Sequence, residues 1–180
     1  EKDHQKFYQH ARKISQNYIC ALHCAGFSSW KSIDKVTTNF WDDMIDTNLK
    51  GTFLGCKYAS KYLKKGGSII NVSSLAGKRG SENNSVYCAS KFGVNGLTQS
   101  LAKELGQKNI RVNAVCPVYV ETDGLKSALS KKYSPAKGKN VDRFLKRFAK
   151  DNSALNKIPS GKDVAQLCLF LASNESSSIT

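Results

Sequence analysis

The sequence predicts an α/β protein built on a parallel sheet, and three observations predict it. Short apolar runs at 18–25, 68–74 and 110–116 have strand length and end at Gly26, a serine pair and Pro117. The stretches between them carry apolar residues at helical spacing. Those stretches are also long enough to return the chain to the starting end of the sheet, which parallel pairing requires.

The first element is a helix over 3–16, with Phe7, Ala11 and Ile14 on one face. It runs into Tyr18-Ile-Cys-Ala-Leu-His-Cys-Ala25, whose near-continuous apolar character reads as a strand buried on both faces. A helix from 38 to 63 carries Trp41, Met44, Leu49, Cys56 and Ala59 along one stripe and ends at Gly66-Gly67. Asn48 falls inside that stripe. The second strand is Ser68–Ser74, and the helix 85–106 follows with Ser85 as its N-cap and Gly106 at its C-terminus. The third strand, 110–116, is stopped by Pro117. A basic segment spans 123–160, in which residues 126–150 hold nine lysines and arginines against the single acid Asp142. There Val141, Phe144, Leu145 and Phe148 form one helical stripe, and Arg143, Lys146, Arg147 and Lys150 form the opposite one. An amphipathic helix at 163–172 completes the series.

The 180 residues suit one domain over 1–180, and no internal repeat divides them. No run reaches the roughly 20 apolar residues that cross a bilayer, so a membrane is not expected as a partner. Six cysteines lie singly, with no ligand spacing for a metal, which fits free thiols in a reducing, cytoplasmic setting. The net charge of +14 admits nucleic acid or an anionic surface as a partner. Against nucleic acid, no aromatic residues interleave with the basic ones as a stacking platform needs.

In parallel sheets ligands bind beyond the carboxyl ends of the strands, which directs attention to His23–Gly26, Ser73-Ser74 and Pro117–Thr122. Just after the second strand comes Ser85-Val-Tyr-Cys-Ala-Ser-Lys91, with a phenol and an ammonium one helical turn apart. Lys91 shares its face with Val94, Leu101 and Leu105 and has no carboxylate at helical spacing. At about 4 Å and an effective dielectric of about 20, such a lysine lowers a tyrosine pKa by roughly three units, into the range of general acid and base work. In isolation the same spacing also fits a packed ring beside a lysine that reaches outward. His23 reads as a structural, hydrogen-bonded residue, since nothing nearby completes a triad or a metal site.

Taken together, Asn48 in T-N-L-K-G, the strand I-I-N-V-S-S-L-A-G, Y-C-A-S-K, N-I-R-V-N-A-V-C-P and the late helix G-K-D-V-A-Q-L-C-L-F-L-A-S resemble the short-chain dehydrogenase/reductase family over nearly all of the chain. The resemblance implies a Rossmann-like, doubly wound parallel sheet, here its central and C-terminal part. It implies a nicotinamide-dependent oxidoreductase acting on a carbonyl or alcohol, with Tyr87 as general acid/base and Ser74 orienting the substrate oxygen. Lys91 would lower the tyrosine pKa and hold the nicotinamide ribose, and Asn48 would position a relay water. The cofactor, NAD or NADP, would meet Ala25, Gly26, Tyr87, Lys91, Pro117 and Thr122. Helices 38–63 and 85–106 resemble the pair that forms the family's subunit interface, so a homodimer or homotetramer is expected, with Phe92, Gly93 and Gly96 on the contact face.

The pattern also departs from the family. No glycine-rich phosphate turn occurs, and the residues that separate NAD from NADP are missing. With Glu1 at its start and Met44 as its only methionine, the chain is expected to be part of a longer protein, with an unpaired edge at the 18–25 strand. His23-Cys24 replaces the usual asparagine pair, and Val118 stands where a glycine is usual. A truncated, inactive paralogue serving as a partner subunit and a basic anion-binding module are the alternative readings. The basic residues of 126–150, within the 123–160 segment that takes the position of the family's substrate cover, fit either an anionic substrate or carrier or a plain solvated outer face.

Overall fold

The computed structural model describes residues 1–15 and 19–180. Three parallel strands, β1 (Cys20–His23), β2 (Ser68–Val72) and β3 (Arg111–Val115), form a sheet in the order β1-β2-β3. Cys20 lies opposite Ser68 and His23 opposite Asn71; on the other side Ser68 lies opposite Arg111 and Val72 opposite Val115. The doubly wound α/β expectation holds, because alternate strand residues feed two different layers. Ile69 and Val112 pack with Cys56, Ala59 and Leu105 on one face, whereas Ile70 and Val115 pack with Cys168 and Leu171 on the other.

The helices are α1 (Lys2–Ile14), α2 (Thr38–Ile45), α3 (Gly51–Tyr62), α4 (Ser85–Gly106), α5 (Asp123–Leu129), α6 (Val141–Asn152) and α7 (Gly161–Ala172). Helix α7 begins with a full capping box between Ser160 and Asp163. At its other end the Leu171 carbonyl accepts from Ser68 Oγ at 2.8 Å and from Arg111 Nη1 at 2.9 Å. Arg111 also donates to Ser173 O at 3.1 Å, so a buried guanidinium is matched to the carbonyls and negative dipole of a helix C-terminus.

Several sequence expectations are corrected. The buried residue of α1 is Tyr8, while Phe7 and Ile14 are 65% and 76% exposed, because the helix docks on α3 through the Tyr8 ring. Strand β1 is not buried on both faces: Leu22 lines an open groove, and among the described residues no strand pairs its outer edge. Tyr18, placed at the start of that strand, lies outside the described residues. The single helix expected over 38–63 is two helices joined by a π turn at Asp46–Lys50, with Asn48 fully buried inside it and Trp41 on the exposed side. The wider turn shifts the phase of the stripe, and Thr52 Oγ1 donates to the Asn48 carbonyl at 2.8 Å. Ser85 does not cap α4 but is its first residue; Asn84 precedes it without a side-chain cap bond, after a left-handed Asn83 with φ of 55°. Gly93 faces inward, since a Cβ there would lie 2.7 Å from the Leu49 side chain, whereas Phe92 and Gly96 do lie outside.

No helix is long and apolar enough to cross a membrane, and among the described residues no His, Cys, Asp and Glu cluster could hold a metal. The six cysteines are free thiols.

Candidate active site

At the end of β2 the strand's alternation gives its two serines different fates. Ser73 is buried and donates to the Lys91 carbonyl at 3.2 Å, while Ser74 turns outward and lines two cavities. The extended Ser74 backbone caps a short turn over 75–77, with its Oγ accepting from Ala76 N at 3.1 Å. That turn packs directly against α4. A Cβ at Gly77 would lie 2.6 Å from the Lys91 carbonyl oxygen, and Asn95 Nδ2 donates to Gly77 O at 2.8 Å. This close packing carries Tyr87, one turn earlier on α4, to the same two cavities.

Lys91 is buried, and its Nζ donates to the Val72 carbonyl at 2.8 Å. Burial pushes its pKa down to about 8, against the opposing influence of the Cys116 and Cys24 thiols. Burial pushes the Tyr87 phenol up, and a hydrogen bond with the Ser74 side chain pulls it the other way. The expectation that Lys91 lowers the phenol pKa is therefore not met here. The ammonium sits 5.8 Å from the Tyr87 ring centroid with its bond directed to backbone, and desolvation dominates both groups.

Asn48 satisfies the requirement that a buried amide find partners. Its Oδ1 accepts from Phe27 N and its Nδ2 donates to Phe27 O, both at 2.9 Å, and Nδ2 also reaches Ser90 Oγ at 3.2 Å. The side chain thus clamps the loop after β1 onto the π turn and stays out of both cavities.

The smaller cavity, 340 Å³, collects Gly26, Tyr87, Lys91, Pro117 and Thr122. Thr122 caps α5, accepting from Leu125 N at 3.2 Å, and the Pro117 carbonyl accepts from Leu75 N at 2.8 Å, which locks the ends of β2 and β3 together. Ala25 falls elsewhere: it lines a 680 Å³ groove beside α1 that meets this cavity only at Cys24. Val118 borders the cavity without filling it.

The larger cavity, 540 Å³, lies on the other side of Ser74 and Tyr87. Trp30, Tyr119, Phe144 and Phe148 wall it, together with Arg79; the sequence pointed to the two phenylalanines and, within Pro117–Thr122, to Tyr119, but not to Trp30 or Arg79. The position of Arg79, five residues after Ser74, was the available signal for it. The apolar stripe of α6 faces this cavity and the adjoining core, and its basic stripe is exposed to solvent.

His23 is structural, as expected. Asn71 Oδ1 can only accept, so His23 Nδ1 donates to it at 2.8 Å and Nε2 accepts from the Tyr8 hydroxyl at 2.8 Å. Asn71 Nδ2 in turn donates to Thr98 Oγ1 at 2.9 Å, completing a chain from α1 across two strands to α4.

The family model described as enoyl-(acyl carrier protein) reductase matches residues 1–180. The chain is 35% identical over 188 aligned positions to the 3-oxoacyl-(acyl-carrier-protein) reductase FabG of Thermotoga maritima, covering 99% of this chain and 69% of the relative. It is 36% identical to the human (3R)-3-hydroxyacyl-CoA dehydrogenase over 88% of this chain and 57% of that protein. A ligand-free structure of the aldohexose dehydrogenase of Thermoplasma acidophilum superposes with a TM-score of 0.87 at 29% identity, covering 98% of this chain and 69% of its own. The chain thus spans between about half and two thirds of the length of these relatives.

Proposed function

The chain belongs to the short-chain dehydrogenase/reductase family, and on that premise we propose that it carries the reaction centre of a nicotinamide-dependent oxidoreductase acting on a carbonyl or alcohol carbon. One observation carries the reading: Ser74 and Tyr87 border two cavities at once, so a bound substrate oxygen can meet both hydroxyls while its carbon faces the second cavity.

The smaller cavity fits one end of NAD or NADP at a point that can be checked. A Cβ at Gly26 would lie 3.0 Å from Asn48 Oδ1 and 3.6 Å from Lys91 Nζ, so glycine leaves room for a ligand against the ammonium. Gly26, Lys91, Pro117 and Thr122 would hold the group, with Ala25 on the neighbouring groove. When bound there, the cofactor supplies or accepts the hydride.

The protein's own groups manage the proton. A phenol raised by burial is protonated at neutral pH, so Tyr87 acts as the acid that donates to the carbonyl oxygen as the alcohol forms. Ser74 holds that oxygen in line. Lys91, its Nζ fixed on the Val72 carbonyl at 2.8 Å, would hold the nicotinamide ribose beside Tyr87. Asn48 acts by fixing the Phe27 loop beside them.

Copies of the chain associate through the outer side of α3 and α4, where Phe53 and Phe92 are 45% and 48% exposed beside Gly96, and light scattering reads the resulting dimer or tetramer. Six free thiols support a reducing compartment such as the cytoplasm. For the reaction, Tyr87→Phe in the full-length protein lowers kcat by about 10²-fold or more while cofactor affinity is kept. Lys91→Ala damages both. Equal, modest losses in the two variants would overturn the assignment.

A further inference from the structure

The 540 Å³ cavity beside Ser74 and Tyr87 has a largely apolar and aromatic wall, interrupted by Ser28, Ser81, Asn84 and Arg79. Tyr119 meets Phe148 at 4.7 Å and Phe144 at 6.0 Å in tilted ring contacts, and Trp30 shares an apolar cluster with Tyr119 and Phe144. Such rings favour a flat, apolar body. Among the described residues that line the cavity there is no aspartate, glutamate or lysine, and the one formally charged side chain is Arg79. Its guanidinium joins none of the ion pairs or side-chain hydrogen bonds among the described residues. Its field nevertheless reaches the cavity wall, where it offsets part of the rise that burial imposes on the Tyr119 phenol.

We propose that the substrate is a ring-bearing, apolar carbonyl compound carrying one carboxylate, which pairs with Arg79 while its carbonyl oxygen meets Ser74 and Tyr87. This rests on the oxidoreductase reading above and names the substrate class of that same site. A single guanidinium, planar and forked, matches one carboxylate in charge and shape. A largely apolar cavity whose one formal charge is positive disfavours cationic substrates. The basic face of α6 is not the recognition element. Arg79 is exposed as well but lines the cavity, whereas none of the basic residues of α6 does; Arg147 is moreover paired with Asp151, and nearby Lys126 with Glu121 and Asp142.

The test uses the full-length protein with 4-oxo-4-phenylbutanoate and its methyl ester as substrates. The unreactive 4-phenylbutanoate and its ester serve as binding probes, read by isothermal titration calorimetry. The unaltered protein should favour each acid over its ester by about tenfold, in kcat/KM and in Kd, and added salt should shrink the preference. Arg79→Gln should bring both ratios near one, and Arg79→Lys should keep part of them. Ratios near one in the unaltered protein, ratios untouched by Arg79→Gln, or failure of 4-phenylbutanoate to bind would overturn the proposal. An Arg79-dependent preference for 4-phenylbutanoate with neither ketone reduced would uphold the charge recognition and overturn the oxidoreductase reading instead.

Discussion

Lys91 Nζ donates to the backbone carbonyl of Val72 at 2.8 Å, so the buried cation of the site is held by a strand end and not by a carboxylate. A neutral dipole compensates burial only in part, and the pKa falls from 10.5 to about 8. Because the folded-state value is depressed for a base, the penalty is full below pH about 8 and is relieved as pH rises from there toward 10.5. Lys91→Met should therefore raise stability at pH 7 by on the order of 1–3 kcal/mol, the lost Val72 bond offsetting part of the gain, while abolishing turnover. Urea denaturation at pH 7 and pH 10 reads this. A variant less stable than the parent at pH 7 would contradict it.

His23 provides a second pH effect. Burial lowers its pKa, with Asn71 opposing and His4 adding to the shift, and Tyr8, Asn71 and Cys56 surround it from α1, β2 and α3. The unfolded chain then takes up the proton first, so stability is full above pH about 6.5 and declines below it. In His23→Asn, Tm should change less between pH 7.5 and pH 5 than in the parent. An identical pH slope in the two would show that the chain of bonds through His23 is not the sensitive element.

Gly77 is a packing position with functional consequences. An added Cβ would meet Lys91 O at 2.6 Å and Asn95 Nδ2 at 2.7 Å, and the backbone contact cannot rotate away. Gly77→Ala should cost about 1–3 kcal/mol with an unchanged denaturant slope, and should lower kcat by separating Ser74 from Tyr87. A stability loss with kcat intact would sever that link.

The two faces of α6 should behave differently. Phe148→Ala removes a ring in tilted contact with Tyr119 and should raise KM for aryl substrates about tenfold. Replacing Arg143, Lys146, Arg147 and Lys150 together with glutamine should leave kcat/KM within about twofold for anionic and neutral substrates alike, since these side chains face solvent and weak surface charges are screened. A selective loss for anions in that variant would return charge recognition to the cover.

Periodicity made the strands and the crossover helices legible because hydrophobic burial is a one-dimensional signal: Ile69 and Ile70 had to be buried, and only a sheet covered on both sides buries both. The same signal misplaced α1 by one residue, since Phe7 and Tyr8 are both apolar and only the reach of the Tyr8 hydroxyl to His23 selects between them. The π turn at Asn48 was invisible for a similar reason: it depends on the amide finding Phe27, twenty-one residues away.

The sequence by itself determined the residue types and the spacing of Ser74, Tyr87 and Lys91, because a helical turn and a strand end fix where such groups can point. Only the tertiary structure decided their electrostatics. Desolvation depends on what covers a group, and Val72, the Gly77 turn and the aromatic cavity walls all come from distant segments. That is why a lysine expected to acidify its neighbouring phenol is instead depressed itself, and why the charged side chain that borders the aromatic cavity is Arg79, while the basic face of α6 lies outside it.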